Sequence, residues 1–310
     1  MTDNHFYEIL CGVVGERNVL RDEPMKKHTT FRVGGPARYF CTPESAGQLS
    51  RTLKACREAG EPYYILGNGS NMLVSDEGYE GTIIRIFHNM DDIRIEGRRM
   101  EIGAGALLVK AAHAAAKAGL TGLEFASGIP GTLGGALVMN AGAYGGEMKD
   151  VVREALVMDQ SGELLRLSAE ELEMGYRTSV VARRGYVALG ASLELQRGDP
   201  AAIEARMQEL REARTSKQPL EYASAGSTFK RPDGYFAGKL IEDADLRGFR
   251  IGDAQVSEKH CGFVINRGEA TAAQVRELIR QVQERVYAQT GVRLEPEVRF
   301  LGFEKKEGDR

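Results

Sequence analysis

Apolar positions recur at helical spacing near the amino terminus. Phe6, Ile9, Leu10, Val13 and Val14 share one side and predict a helix over the first twenty residues. A polar segment, RDEPMKKHTTFRVGGPARYF, follows and ends in an aromatic strand. Thr42-Pro43-Glu44 then reads as a helix start, with proline at the first helical position, and Leu49, Leu53 and Cys56 continue one face as far as Gly60. Tyr63 to Leu66, Thr82 to Phe87, Ile93 to Glu96 and Met100 to Ile102 read as strands, and the alanine-rich run Ala106 to Lys117 as a helix closed by Gly119. Ala155 to Met158, Leu164 to Leu167 and Val187 to Leu195 are further strands. Near Gly198-Asp199-Pro200 the composition changes. Asp199 can cap and Pro200 open a helix whose Ile203, Met207 and Leu210 form one face. Beyond it come a strand at Gly262 to Asn266, a capping box Thr271…Gln274 ahead of Val275, Leu278, Ile279, Val282 and Val286, and a last strand from Val298 to Phe303. Short strands mixed with occasional helices predict an α+β fold rather than an uninterrupted βαβ series.

One stretch has no period at all. Gly128 to Gly146, GIPGTLGGALVMNAGAYGG, has seven glycines in nineteen positions and no ionised side chain. Glycine admits positive φ and leaves room where a Cβ would collide, so such a backbone can come very close to a ligand. Its successive amides can also hold anionic oxygens without a lysine. A buried run of tight turns is the competing reading. Gly67-Asn68-Gly69-Ser70-Asn71 follows a strand, as a phosphate turn does and as an ordinary turn also can. It is not a dinucleotide fingerprint of the GxGxxG kind, because Met72 stands where the third glycine belongs; at Gly103-Ala104-Gly105 Leu108 breaks the same pattern. No GxxxxGK[ST] occurs, which removes nucleoside-triphosphate hydrolysis from the leading candidates.

Composition narrows the classes. At 310 residues the chain exceeds the size at which one core keeps growing, so two or three subdomains are expected. Net charge is −3 and no basic block stands out, which argues against nucleic acid and against an acidic membrane surface. The sequence shows neither a secretion signal nor a long apolar run, so a cytoplasmic protein without membrane insertion is expected. Cys11, Cys41, Cys56 and Cys261 stand far apart without metal spacing and read as reduced, apolar thiols, with no metal site.

Three islands place reactive side chains beside unusual backbone: Tyr176-Arg177-Thr178-Ser179, Gly226 to Pro232, and Leu294 to Arg299. Each has an ordinary explanation when taken alone. Ser227 can bond its own turn, Arg177 can pair with a surface carboxylate, and Glu297 can be a solvated strand end. In series with TTFRVGGPA, YILGNGSNML, GLEFASGIPGTLGGALVMNAGAYGGE, AGKLIEDADLRG and QVSEKHCGFVIN, all between Thr29 and Gly302, they give a chain that closely resembles the UDP-N-acetylenolpyruvoylglucosamine reductase family of peptidoglycan synthesis.

The resemblance implies an FAD-binding domain of the PCMH, or vanillyl-alcohol-oxidase-like, type with two subdomains, and a smaller α+β substrate domain. The implied boundaries are an N-terminal helical segment at 1–28, the FAD domain at 29–197, the substrate domain at 198–303 and a charged tail at 304–310. Gly67, Asn68, Gly69, Ser70 and Asn71 match the family's pyrophosphate turn. Gly128, Pro130, Gly131, Gly134, Gly135, Asn140, Ala141 and Gly142 match its flavin-and-diphosphate cradle. The family holds FAD non-covalently, reduces it with NADPH, and admits the sugar nucleotide to the same cleft. By resemblance Ser227 is the proton donor, Arg177 and Glu297 stabilise an enol-like intermediate, and Tyr176, Lys217, Lys230, Arg214 and Arg299 contact substrate. His260 is expected beside the cleft. Only about a dozen residues separate Ser179 from the strand at Ala191, so the inserted tyrosine loop of some members is missing and the shorter subtype is implied; a monomer is expected. A flavin oxidase on the same scaffold and a non-catalytic nucleotide-sugar binder are the alternatives.

Overall fold

The structure, a computed structural model, describes residues 3–303; the charged tail expected at 304–310 lies outside the described residues. The chain divides into two units that interleave in sequence. The first holds the residues up to Arg21, Tyr39–Asn68 and Gly81–Arg214, and the second holds Asp22–Arg38, Gly69–Glu80 and the residues from Thr215 onward.

The first unit is built on two sheets. One has the strand order Val19–Pro24, Pro36–Cys41, Tyr79–Arg85, Tyr63–Leu66, with the last two parallel and Leu66 opposite Arg85. The helices Asp3–Val14 and Ala46–Ala59 pack together beside it, joined through Phe6, Leu10, Leu49 and Leu53 to Tyr39, Cys41 and Ile84 in one core. The second sheet is antiparallel throughout, in the order Leu164–Ser168, Val152–Met158, Val187–Glu194, Arg99–Gly103, Ile93–Glu96. The helix Leu133–Met139 packs on its central strands.

In the second unit the strands run Ala223–Ser227, Phe263–Asn266, Ala254–Val256, Arg250–Ile251. The helix Ala272–Thr290 lies on this sheet and buries Val275, Leu278, Ile279, Val282 and Val286, as its pattern predicts. Its capping box between Thr271 and Gln274 forms, and Gly291 closes it in the left-handed conformation. Phe31, Val33 and Leu73 from the early segments belong to the same core, and Met72–Val74 pairs in parallel with Arg299–Leu301.

Several local expectations shift. The first helix ends at Val14 rather than near residue 20. The second begins at Ala46 rather than Pro43, because the Ser45 hydroxyl accepts from the Gln48 N–H while Glu44 N–H donates to the Gln48 side chain, a stronger start than proline alone. The glycine stretch contains a helix, Leu133–Met139, that its composition hides. The implied boundary at residue 198 falls just before the helix Pro200–Lys217, most of which packs with the first unit, and the segments 29–38 and 69–80 pack with the second.

Candidate active site

Two stretches expected at the cofactor meet inside the first unit. The Asn68 side-chain amide donates to the Pro130 carbonyl at 2.6 Å, and a Cβ on Gly67 would stand 2.6 Å from Thr132 Oγ1. The glycines of the cradle serve two different purposes. Gly134 and Gly142 allow chain to touch chain, since a Cβ there would stand 3.2 Å from Ala104 and 2.7 Å from the Gly146 carbonyl oxygen. The amides of Gly134 and Gly135 are engaged by the Ala104 carbonyl and Thr132 Oγ1, so they contribute closeness rather than donors. Gly131 and Gly135 are open instead: the nearest atoms to a Cβ would be Ile129 Cγ2 at 3.8 Å and Thr132 Oγ1 at 3.7 Å. Main chain that a ligand can approach is therefore present at these two, which suits a flat cofactor. Gly128 is covered by Arg214, whose Cδ would be 3.0 Å from a Cβ; burial holds the Arg214 guanidinium below its ordinary pKa.

Asn140 does not reach outward. It is 1% exposed, sits in the left-handed conformation at the end of Leu133–Met139, and donates to the Glu147 carboxylate and the Gly175 carbonyl while accepting from Lys149 N–H. Ala141 is likewise buried, with its amide on the Ala136 carbonyl. The bond to Gly175 matters because Gly175 and Thr178 close a tight turn with Tyr176 and Arg177 at its tip. Arg177 has φ +55°, a conformation that costs a non-glycine residue about 1 kcal/mol and is retained where geometry is needed. Its guanidinium stands 5.3 Å from the ring centroid of the exposed Tyr176. No insertion follows: the helix Val180–Arg183 and the strand Val187–Glu194 come directly after, as in the shorter subtype.

In the second unit Ser227 ends the strand Ala223–Ser227. The register slips between Ser224 and Ser227, with Gly226 at φ +75°, and this irregularity turns Ser227 to the exterior while Thr228 and Phe229 are buried. Glu297 is brought alongside by main chain. Its N–H donates to the Thr228 carbonyl, Phe229 bridges Pro296, and Lys230 N–H donates to the Glu295 carbonyl, both bonds at 2.8 Å. Asn71 fixes the other side of Glu297, donating to its carbonyl at 3.1 Å and accepting from Arg299 N–H. That role for Asn71, which fixes the backbone of an acid 226 residues away, could not be read from GNGSN. Gly69 is equally local: a Cβ there would stand 1.9 Å from the His28 carbonyl oxygen.

The Lys230 ammonium pairs with Glu295, Lys217 is exposed at the end of its helix, and Arg299 is exposed on its strand. His260 is neutral in effect. Its Nδ1 accepts from Gly262 N–H at 3.1 Å, and burial, with Arg247 nearby, pushes its pKa down. Because the Gly262 carbonyl takes the Thr228 N–H, His260 shapes the turn beside Ser227 rather than supplying a charge. Among the described residues no cluster of His, Cys, Asp or Glu is arranged for a metal, and no helix is long and apolar enough to cross a membrane.

Residues 37–168 match the family described as FAD binding domain, and residues 218–301 match the family described as UDP-N-acetylenolpyruvoylglucosamine reductase, C-terminal domain. In fold alone the chain is similar to 4-ethylphenol oxidase from Gulosibacter chungangensis, with TM-score 0.50 and 14% identity over 99% of this chain and 66% of that one. Fold and matched segments together define an FAD-binding protein of the PCMH-like class with a separate carboxy-terminal domain. The UDP-N-acetylenolpyruvoylglucosamine reductase of Clostridioides difficile is 51% identical over 97% of this chain and 99% of its own, and that of Agathobacter rectalis 52% identical over 92% and 94%. The crystal structure of the Thermus caldophilus reductase is similar with TM-score 0.79 and 38% identity over 91% of this chain and 98% of that chain. The chain belongs to the UDP-N-acetylenolpyruvoylglucosamine reductase family.

Proposed function

We propose that this protein reduces the enolpyruvyl ether of UDP-N-acetylglucosamine to UDP-N-acetylmuramate with NADPH, through non-covalent FAD, in peptidoglycan synthesis. The observation that carries the reading is identity of 51% across nearly the whole length of both chains, covering both domains together. When bound, FAD would supply the hydride chemistry between NADPH and C3 of the enolpyruvyl group. Ser227 then gives its hydroxyl proton to C2. A serine hydroxyl is a poor acid in water, so this role depends on positioning and on groups that stabilise the enol-like charge. Arg177 and Glu297 take that task. Glu297 suits it because its main chain, donating to the Thr228 carbonyl and accepting from the Asn71 side-chain amide, is held beside the strand end that carries Ser227.

Gly131 and Gly135 are the approach to FAD, with Gly67 and Asn68 packed against the same stretch and Arg214 over Gly128 at its rim. Tyr176, Lys217, Lys230 and Arg299 face the sugar nucleotide, whose diphosphate suits their donors. NADPH and the sugar nucleotide use one cleft in turn. The working form in this reading is a cytoplasmic monomer.

The test is anaerobic spectroscopy of the purified protein. NADPH is expected to bleach the flavin band and the enolpyruvyl substrate to restore it. Ser227→Ala is expected to bleach at the wild-type rate and to recover about 10²- to 10⁴-fold more slowly. A colourless protein that takes up no FAD refutes the reading, and equal losses in both half-reactions remove Ser227 from the role of proton donor.

A further inference from the structure

Arg85 is the last residue of the strand Tyr79–Arg85, and burial holds its guanidinium below its ordinary pKa. Its Nε is buried without a hydrogen-bond partner, and among the described residues no carboxylate pairs with it. What it touches is aromatic: the guanidinium carbon lies 4.4 Å from the Phe87 ring centroid and 5.9 Å from that of Phe40. A half-buried cation whose Nε has no partner and whose guanidinium lies against two rings is costly, because desolvation is not offset by an ion pair and a cation–π contact returns only part of it. Such a cost persists where something outside the chain completes the site.

The surroundings say where that would be. Side chains along this strand alternate: Ile84 and Ile86 join the first unit's core, whereas Arg85 shares the other face with Ile83. On the neighbouring strands Tyr39, Cys41 and Ile65 face the core, and Phe40 and Leu66 are buried outside it. Leu66 stands directly opposite Arg85 in a parallel pair, and the next residue is Gly67. Arg85 therefore stands at the carboxyl end of two parallel strands, beside the turn that begins Gly67-Asn68, on the face away from the packed helices. Ligands of α/β sheets collect at such ends. Asn68 and Gly67 are joined there to Pro130 and Thr132 of the glycine stretch.

We propose that Arg85 is the cationic partner of the FAD pyrophosphate, a charge in a cradle whose glycine stretch supplies none. This rests on the flavin reading above. A guanidinium fits the task better than an ammonium, since its planar fork can meet two phosphate oxygens while its face stays on Phe87. Arg85 takes no part in proton transfer; it fixes the cofactor.

The experiment uses the FAD-loaded protein. Diluting it and following the return of free flavin fluorescence gives the dissociation constant. Arg85→Met is expected to raise that constant about ten- to a hundredfold, as loss of a charged hydrogen bond does, and Arg85→Lys to recover part of the loss. With FAD saturating, Arg85→Met is expected to unfold at or above the wild-type temperature, because an unbranched apolar side chain removes an unpaired charge, and both variants are expected to keep wild-type KM values for NADPH and the sugar nucleotide. FAD binding within twofold of wild type overturns the proposal. So does a raised KM with unchanged FAD affinity, which would assign Arg85 to a substrate diphosphate. A Met variant that loses FAD and unfolds early even at saturation, with Arg85→Lys no better, makes Arg85 a packing residue instead. Wild-type protein that binds no FAD removes the flavin reading itself.

Discussion

Cys41 and Cys56 show how burial alone sets a side chain's chemistry. Both thiols are fully buried in the first unit, and desolvation pushes the pKa of each up to about 12 from an ordinary value of 9.0. The folded state therefore keeps these protons while the unfolded chain gives them up. Their contribution to stability is whole below pH 9.0 and is lost as pH rises toward about 12. Across that window each thiol should cost about 1.4 kcal/mol per pH unit. Urea unfolding from pH about 8 to about 11 should show a fall that the Cys41→Ala/Cys56→Ala double variant flattens; parallel slopes would contradict it. The bland reading of the cysteines was available in the sequence, since isolated apolar thiols need no partner. The work of Asn140 and Asn71 was not. Their position in glycine-rich motifs pointed toward a ligand, but their amides close on Gly175 and Glu297, contacts that depend on distant chain.

Elements with strong local signals were legible to within a few residues. The capping box at Thr271 and the apolar face from Val275 to Val286 fixed the long helix because both are local in origin. Its start, however, has a third support that no local pattern reveals. The Asp76 carboxylate accepts from the N–H groups of Ala272 and Ala273 at 2.7 and 2.8 Å, across 196 residues of chain. These amides have no partner within the helix, and the negative charge also complements the helix dipole. Asp76→Ala should cost about 1–2 kcal/mol in urea unfolding and Asp76→Asn less. Equal, negligible losses would show that Thr271 suffices. The helix Leu133–Met139 was missed for the opposite reason: Gly134 and Gly135 lower helical propensity, and tertiary contact with the second sheet overrides it.

For the whole molecule, family and fold class were legible because eight short motifs occur in one order, while the division of the chain was not. A boundary near residue 198 treats the second unit as a contiguous tail, whereas Phe31, Val33 and Leu73 lie in its core and Met72–Val74 pairs with Arg299–Leu301. Residues 215–310 expressed alone should therefore lack a cooperative thermal transition and show poorly dispersed amide signals. A sharp transition in that fragment would mean that the early segments are dispensable. The chain passes between the units five times, after Arg21, Arg38, Asn68, Glu80 and Arg214. During synthesis on a ribosome, the strand Met72–Val74 must wait for its partner until the chain has been made as far as Leu301. A nascent chain stalled between Val74 and Arg299 carries an unpaired strand edge, and it stays open to adhesion until Arg299–Leu301 arrives.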